Sequence, residues 1–170
     1  SEGLVVSIPA LIEAQCLERQ PAQVQDALAA LAYAKDGAPC VKDLCALFER
    51  VLDLDARRFD GDADLPADLQ LYVPEGRQTL RPTLGLKGQG AALEGGAEAG
   101  PAARAGRGYR MLVWAVPAGL KLDKPETVTG PWDYPPGAKF DRLLRACRVP
   151  IGLLSNGHEL RLYYAPHGES

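Results

Sequence analysis

Apolar positions along the chain follow two different rhythms, and the rhythm changes at Leu71. Before that point they recur at helical spacing. Leu11, Ile12, Ala14 and Leu17 form one stripe ahead of Pro21, and Val24, Leu28 and Leu31 form a second ahead of Gly37. A third stripe runs through Val41, Leu44, Cys45, Phe48, Val51 and Leu52, with Pro39 near its start. Side chains three and four residues apart share one side of a helix, so the first third of the chain is predicted to be helical. Residues 53–70 then turn acidic and broken, with DADLPADL in the middle. They are predicted to form a surface connection with at most one short helical turn.

After Leu71 the segments shorten and strand patterns take over. LYV and TLRPTLGL are strand candidates separated by EGRQ. Gly85 to Gly108 holds eight glycines and seven alanines in 24 residues, a composition that predicts a flexible loop rather than a packed element. Its glycines match no phosphate-binding pattern with a strand before and a helix after. Tyr109 to Pro117, YRMLVWAVP, is almost continuously apolar, as a central strand covered on both faces should be. Ala118 to Gly137 is rich in proline and glycine and predicts an ordered excursion.

The last segments carry the clearest pattern. In KFDRLLRACR, Phe140, Leu143, Leu144 and Cys147 define a buried helix face, with Lys139, Arg142, Arg145 and Arg148 mostly outside it. Ile151 to Leu154 predicts a strand. Asn156-Gly157 tolerates positive φ and favours a two-residue type I′ turn. Beyond it Leu160, Leu162 and Tyr164 alternate with Glu159, Arg161 and Tyr163, a period-two pattern that buries one face and wets the other. The whole predicts a helical N-terminal part, residues 1–70, joined in one domain to a mixed-sheet core, residues 71–170, with a helix packed on it.

Composition adds bounds. At 46% hydrophobic and 24% charged, the 170 residues have the make-up of a globular domain with a sizeable core. No apolar run approaches the roughly 20 residues that span a bilayer, so no membrane partner is expected. Cys16, Cys40, Cys45 and Cys147 form no CxxC pair; free thiols in a reducing, cytoplasmic setting are expected rather than a zinc site. Opening on serine and closing on PHGES, the chain is expected to be a processed or excised part of something longer. The net charge of −3 hides an asymmetry. Residues 1–75 hold 14 acids and 6 bases, whereas residues 76–170 hold 8 acids and 13 bases. A basic second half suits a phosphate backbone, and the same asymmetry suits attraction between the two halves.

The order of basic helix, apolar strand, Asn-Gly and alternating strand resembles the N-terminal domain of large restriction-modification enzymes and of related phage-defence methyltransferase proteins. The likeness runs more loosely back through YRMLVWAVP and TLRPTLGL, over roughly residues 71–170. It implies a restriction-endonuclease-like α/β fold, with a Pro-Asp and a Glu-x-Lys motif that bind metal and activate water. Carboxylates would hold Mg²⁺ while the lysine orients or deprotonates that water. The corresponding places here are Pro82-Thr83 and Ala115-Val116-Pro117. Threonine replaces the aspartate, alanine the glutamate and proline the lysine. Thr83, Ala115 and Pro117 thus mark a degenerate nuclease site, and no resident cofactor or metal is expected.

The remaining chemistry is sparse. Asp123, Lys124 and Glu126 would supply a relocated Mg²⁺-dependent nuclease, but they sit in an irregular segment. His158 and His167 fall in no ligand pattern, and Ser155 and Ser170 have no nucleophile elbow. Asp133 and Asp141 fit surface roles. DYPP at 133–136 is not the Asn-Pro-Pro-Tyr of a DNA methyltransferase, although a parent protein would carry such a domain elsewhere. Arg107, Arg110, Lys139, Arg142, Arg145 and Arg148 are the candidate DNA-backbone contacts, since cations on a helix face meet phosphates without reading sequence. Trp114 is expected in the core, and Trp132 and Tyr134 in a loop packed over the sheet. The expected function is a catalytically inactive nuclease-like module that binds DNA or couples other domains or subunits of a defence system. The alternatives are the relocated nuclease and a purely structural interaction domain.

Overall fold

The structure is a computed structural model; it describes residues 4–7 (backbone only), 26, 30–31, 41, 43–51, 53–88, 99–125 and 134–166. The first two helical stripes fall almost wholly outside these residues, although Asp26, Ala30 and Leu31 are helical. Cys16, Cys40, Glu126, Trp132, Asp133, His167 and Ser170 also lie outside them.

The fold is a mixed sheet with helices on its faces. In chain order the elements are β1 (Leu4–Ser7), α1 (Leu44–Arg50), β2 (Phe59–Gly61), β3 (Leu71–Val73), β4 (Gln78–Leu80) and β5 (Leu84–Lys87). There follow α2 (Pro101–Gly106), β6 (Tyr109–Ala115), α3 (Pro136–Cys147), β7 (Ile151–Ser155) and β8 (Glu159–Tyr164). Six strands form one sheet in the order β1-β8-β7-β6-β5-β2, while β3 and β4 pair separately. Among the described strands of this sheet only β6 and β7 run parallel. A parallel neighbour requires a crossover, and α3 supplies it.

Two faces, two clusters. On one side α3 lays Phe140, Leu143, Leu144 and Cys147 against Leu112, Leu154 and Tyr163, and all four helix residues are fully buried, as their spacing predicts. Phe140 meets the Tyr163 ring edge-on at 5.6 Å. Gly152 lets the helix come this close, because a Cβ there would sit 2.5 Å from Leu144 and 2.7 Å from Phe140. On the other side α1 sets Leu44, Leu47 and Phe48 over Phe59, Val113 and Leu160, with Phe48 and Phe59 stacked at 5.0 Å. β6 lies between β5 and β7 with Leu112 and Val113 facing opposite clusters, which explains its unbroken apolar run. Trp114 packs half-buried against the α3 cluster.

Several expectations are corrected. Residues 1–70 supply both edge strands, β1 and β2, as well as helix. The acidic stretch 53–70 carries β2 and buries Leu65 and Leu69 in the main core, so it is more than a surface connection. Its loop is organised by Arg81, whose guanidinium donates to the carbonyls of Asp62, Leu65, Pro66 and Ala67. TLRPTLGL splits at Arg81-Pro82 into strands of two different sheets.

The expected flexible loop contains the rest of β5 and the helix α2; residues 89–98 lie outside the described ones. Small residues serve packing here. A Cβ on Gly106 would overlap the Cys147 carbonyl oxygen, so only glycine lets α2 rest on the end of α3.

The hairpin turn also differs from expectation. Among its residues only Gly157 has positive φ (88°), whereas a type I′ turn needs two. Ser155 pairs with Leu160, which leaves a longer loop. Asn156 closes it with its side chain, Oδ1 accepting from His158 N at 2.9 Å and Glu159 N at 2.8 Å. In β8 Leu160 is buried in the α1 cluster, but beyond it the two faces do not sort by polarity. Arg161 (8% exposed) and Tyr163 are buried, while Leu162 (43%) and Tyr164 (61%) are exposed.

Candidate functional site: a neutral cleft

The carboxyl ends of the parallel pair β6 and β7 open onto a cleft of about 280 Å³. Parallel strands joined by a crossover leave such a crevice where their connections diverge. Its lining is Val41, Leu44, Ala115, Val116, Ala118, Ser155, Asn156 and Gly157, with no charged residue among them. Hydrogen bonds hold this wall. Val116 N donates to Ser155 O at 2.8 Å, extending the β6–β7 ladder, and Val41 N donates to Gly157 O at 2.8 Å.

The polar side chains here are committed to backbone. Ser155 Oγ accepts from Gly157 N at 2.9 Å, and Asn156 Nδ2 donates to Leu120 O at 2.8 Å. Ser155 and Asn156 are both buried. Together they clamp the hairpin to the segment that follows β6.

Thr83 and Ala115, two of the positions that the sequence resemblance singles out, meet beside this cleft. Thr83 N donates to Val113 O at 2.8 Å, and Thr83 Oγ1 accepts from Ala115 N at 2.9 Å. Antiparallel pairing of β5 with β6 brings the start of one strand to the end of the other, which is why residues 32 apart in sequence touch. Pro117 stands two residues further on, its carbonyl accepting from Leu120 N. Threonine and alanine make a strand-end hydrogen bond here.

Nearby acids are engaged elsewhere. Asp123 is hydrogen-bonded to Arg161 Nη1, which holds its carboxyl below the usual carboxylate range. Its own side chain is 71% exposed, so one partner of the pair is wet and the other buried. Hydrogen bonds to Asp123 and to the Tyr163 hydroxyl in turn raise the Arg161 pKa, and Arg161 Nε is buried without a hydrogen-bond partner. Lys124 is exposed. Among the described residues no three His, Cys, Asp or Glu side chains group closely enough to hold a metal ion. Burial pushes the Cys147 thiol up to about 12, which makes it an inert core group.

The candidate phosphate contacts are scattered. Lys139 is 3% exposed and belongs to the buried side of α3, contrary to the expected basic face; a lysine stem can bury along a helix while its end finds a partner. Arg142 is ion-paired to Glu75 at 3.5 Å and Arg145 to Asp141 at 2.9 Å. Arg148 caps α3 in the left-handed conformation, φ 53°. Arg107 and Arg110 are exposed at the amino end of β6.

Two features escaped sequence reasoning. One is the buried Arg161–Asp123 pair, which a strand alternation would place in solvent. The other is a trio of Tyr109, Asp60 and Lys87: Tyr109 Oη donates to Asp60 Oδ2 at 2.7 Å, and Lys87 Nζ lies 3.4 Å from Asp60 Oδ1. Burial first, and then Asp60, raise the Tyr109 pKa. No described helix is long and apolar enough to cross a membrane. Comparison with protein-family models, with curated proteins and with solved structures finds no match.

Proposed function

We propose that the chain is a catalytically inactive, restriction-endonuclease-like module of a DNA restriction-modification or phage-defence protein, one that positions DNA or couples neighbouring domains. One observation carries the reading. Thr83 and Ala115, which the resemblance puts where such a nuclease needs carboxylates, lie hydrogen-bonded to each other beside a cleft whose described lining residues are uncharged. Metal-assisted hydrolysis requires oxygen ligands that bind the cation and a group that orients water. A hydroxyl already accepting a backbone N–H, a methyl and a proline supply neither. The mixed sheet with helices on both faces is the kind of scaffold the sequence resemblance implies.

The relocated nuclease is disfavoured because Asp123 is committed to Arg161. The structural-interaction reading keeps one specific support. The ion pair of Arg142 with Glu75 joins the basic helix to an acid of the chain's own first half. Both side chains of that pair are exposed, so water and salt screen it and phosphate can compete for the arginine. Titration of the folded domain with duplex DNA at low salt tests the proposal. Sequence-independent, salt-sensitive binding is expected, and no binding at low salt would remove the DNA-binding role.

A further inference from the structure

We infer that the cleft at the carboxyl ends of β6 and β7 binds a small uncharged molecule, one aromatic ring in size, that offers a hydrogen-bond acceptor to the Ser155 hydroxyl. The inference goes beyond the DNA-binding reading and does not depend on it.

Strand alternation aims Ser155 into the cleft. Leu112 packs in the α3 cluster and Val113 in the α1 cluster, so Ala115 shares the α1 side of the sheet with Val113. Ser155 is the register partner of Ala115 on β6 and of Leu160, a residue of the α1 cluster, on β8. Partners in register point to the same face, which puts the Ser155 side chain on the α1 side. Val41 and Leu44 wall the cleft on that side, and the Val41 N–H is held by the Gly157 carbonyl.

Ser155 is 1% exposed, and only half of its hydrogen-bonding capacity is used. Its Oγ accepts from Gly157 N at 2.9 Å, yet among the described residues no acceptor takes its proton. A hydroxyl carries one donor besides its lone pairs, and a buried donor without an acceptor is costly. The neighbouring Asn156 is different. Its Oδ1 accepts from His158 N and Glu159 N, and its Nδ2 donates to Leu120 O, so both ends of that amide are used. Ser155 is therefore the side chain of this wall that keeps a donor for a ligand.

The other described side chains of the lining set the ligand class. Val41, Leu44, Ala115, Val116 and Ala118 are apolar, so an ion entering here would lose hydration without gaining a counter-charge. The volume of about 280 Å³ exceeds the roughly 150 Å³ of a cavity that holds benzene, which leaves room for one ring and a polar substituent. Ala115 and Ala118 are exposed and form the mouth.

The test uses benzamide, benzoate and benzamidine, which share one ring and differ in charge. Each is titrated into the full chain while backbone amide resonances are followed by NMR. Benzamide is expected to shift Val116, Ser155 and Gly157 with a Kd of about 1 mM, and the two charged analogues to bind at least about tenfold more weakly. Ser155→Ala should weaken benzamide by roughly fivefold. Ala115→Leu places an apolar side chain in the mouth at an exposed position and should abolish binding. Thermal melts confirm that the variants fold; Ala115→Leu and the charge series decide the matter if Ser155→Ala does not. The inference is overturned if these amides do not move at about 20 mM benzamide, which leaves water as the partner of the hydroxyl. It is equally overturned by charged analogues that bind as tightly as benzamide, or by affinity unchanged in a folded variant. Each of these outcomes leaves duplex binding to be judged separately.

Discussion

Thr83 Oγ1 accepts the backbone N–H of Ala115 at 2.9 Å, so the amino end of β5 and the carboxyl end of β6 are tied together by a hydroxyl. The bond gives threonine a structural role at this position. Thr83→Val keeps the shape and removes the acceptor. It should destabilise the domain by about 1 kcal/mol, measured by urea unfolding, because Ala115 N loses its partner. Thr83→Ser should retain most of the stability.

Helix α2 is held to α3 through Gly106, whose missing side chain makes room for the Cys147 carbonyl. Backbone cannot rotate away as a side chain can. Gly106→Ala should therefore cost about 1–3 kcal/mol despite alanine's better helix propensity. A melting temperature equal to or above that of the wild type would contradict this packing.

The Arg161–Asp123 pair is asymmetric, with a buried cation and a mostly exposed anion. Asp123→Ala leaves the guanidinium buried without its anion and should cost about 2 kcal/mol. Arg161→Met removes the buried charge and keeps apolar bulk, so it should cost less. The pH dependence follows from the lowered Asp123 pKa. The folded state holds fewer protons than the unfolded chain across that interval. The contribution is thus fully present above the ordinary carboxylate pKa and is lost as pH falls through the lower folded value. Denaturation curves from pH 6 to pH 2 should show a smaller acid loss for Asp123→Asn than for the wild type.

Asn156 fastens the β7–β8 turn with two accepted hydrogen bonds and donates a third to Leu120 O. Asn156→Ala should cost about 2–3 kcal/mol and speed amide exchange at His158 and Glu159. Gly157→Val forces a β-branched residue to φ 88° and should be at least as damaging.

Legibility in the sequence varied with how far local spacing controls burial. The α3 face was readable because Phe140, Leu143, Leu144 and Cys147 repeat at helical spacing, and β6 because one strand buried on both sides has an unbroken apolar run. β2 was not, since Phe59–Gly61 is too short to show a period. α2 was hidden by composition: its alanines and Gly106 signal flexibility in isolation and close helix contact in the fold. Strand β8 shows the limit most clearly. Its alternation was visible, yet the side packed beneath α3 holds Arg161 and Tyr163, whose long apolar bodies bury while their polar ends find Asp123 and each other. For the candidate site, the resemblance singled out Thr83 and Ala115 separately; their contact depends on strand pairing across 32 residues. The burial of Lys139 and the ion pair of Arg142 with Glu75 were equally invisible, because both depend on the tertiary fold, whereas Asp141 and Arg145 stand at a helical i,i+4 spacing that the sequence shows.

The central claim is that this scaffold does not cut DNA, and incubation of the purified chain with supercoiled plasmid in Mg²⁺ or Mn²⁺ tests it most directly. The plasmid is expected to remain supercoiled with either metal. Nicked or linear product that requires the metal, and that disappears in Asp123→Asn, would contradict the account and establish a relocated active site.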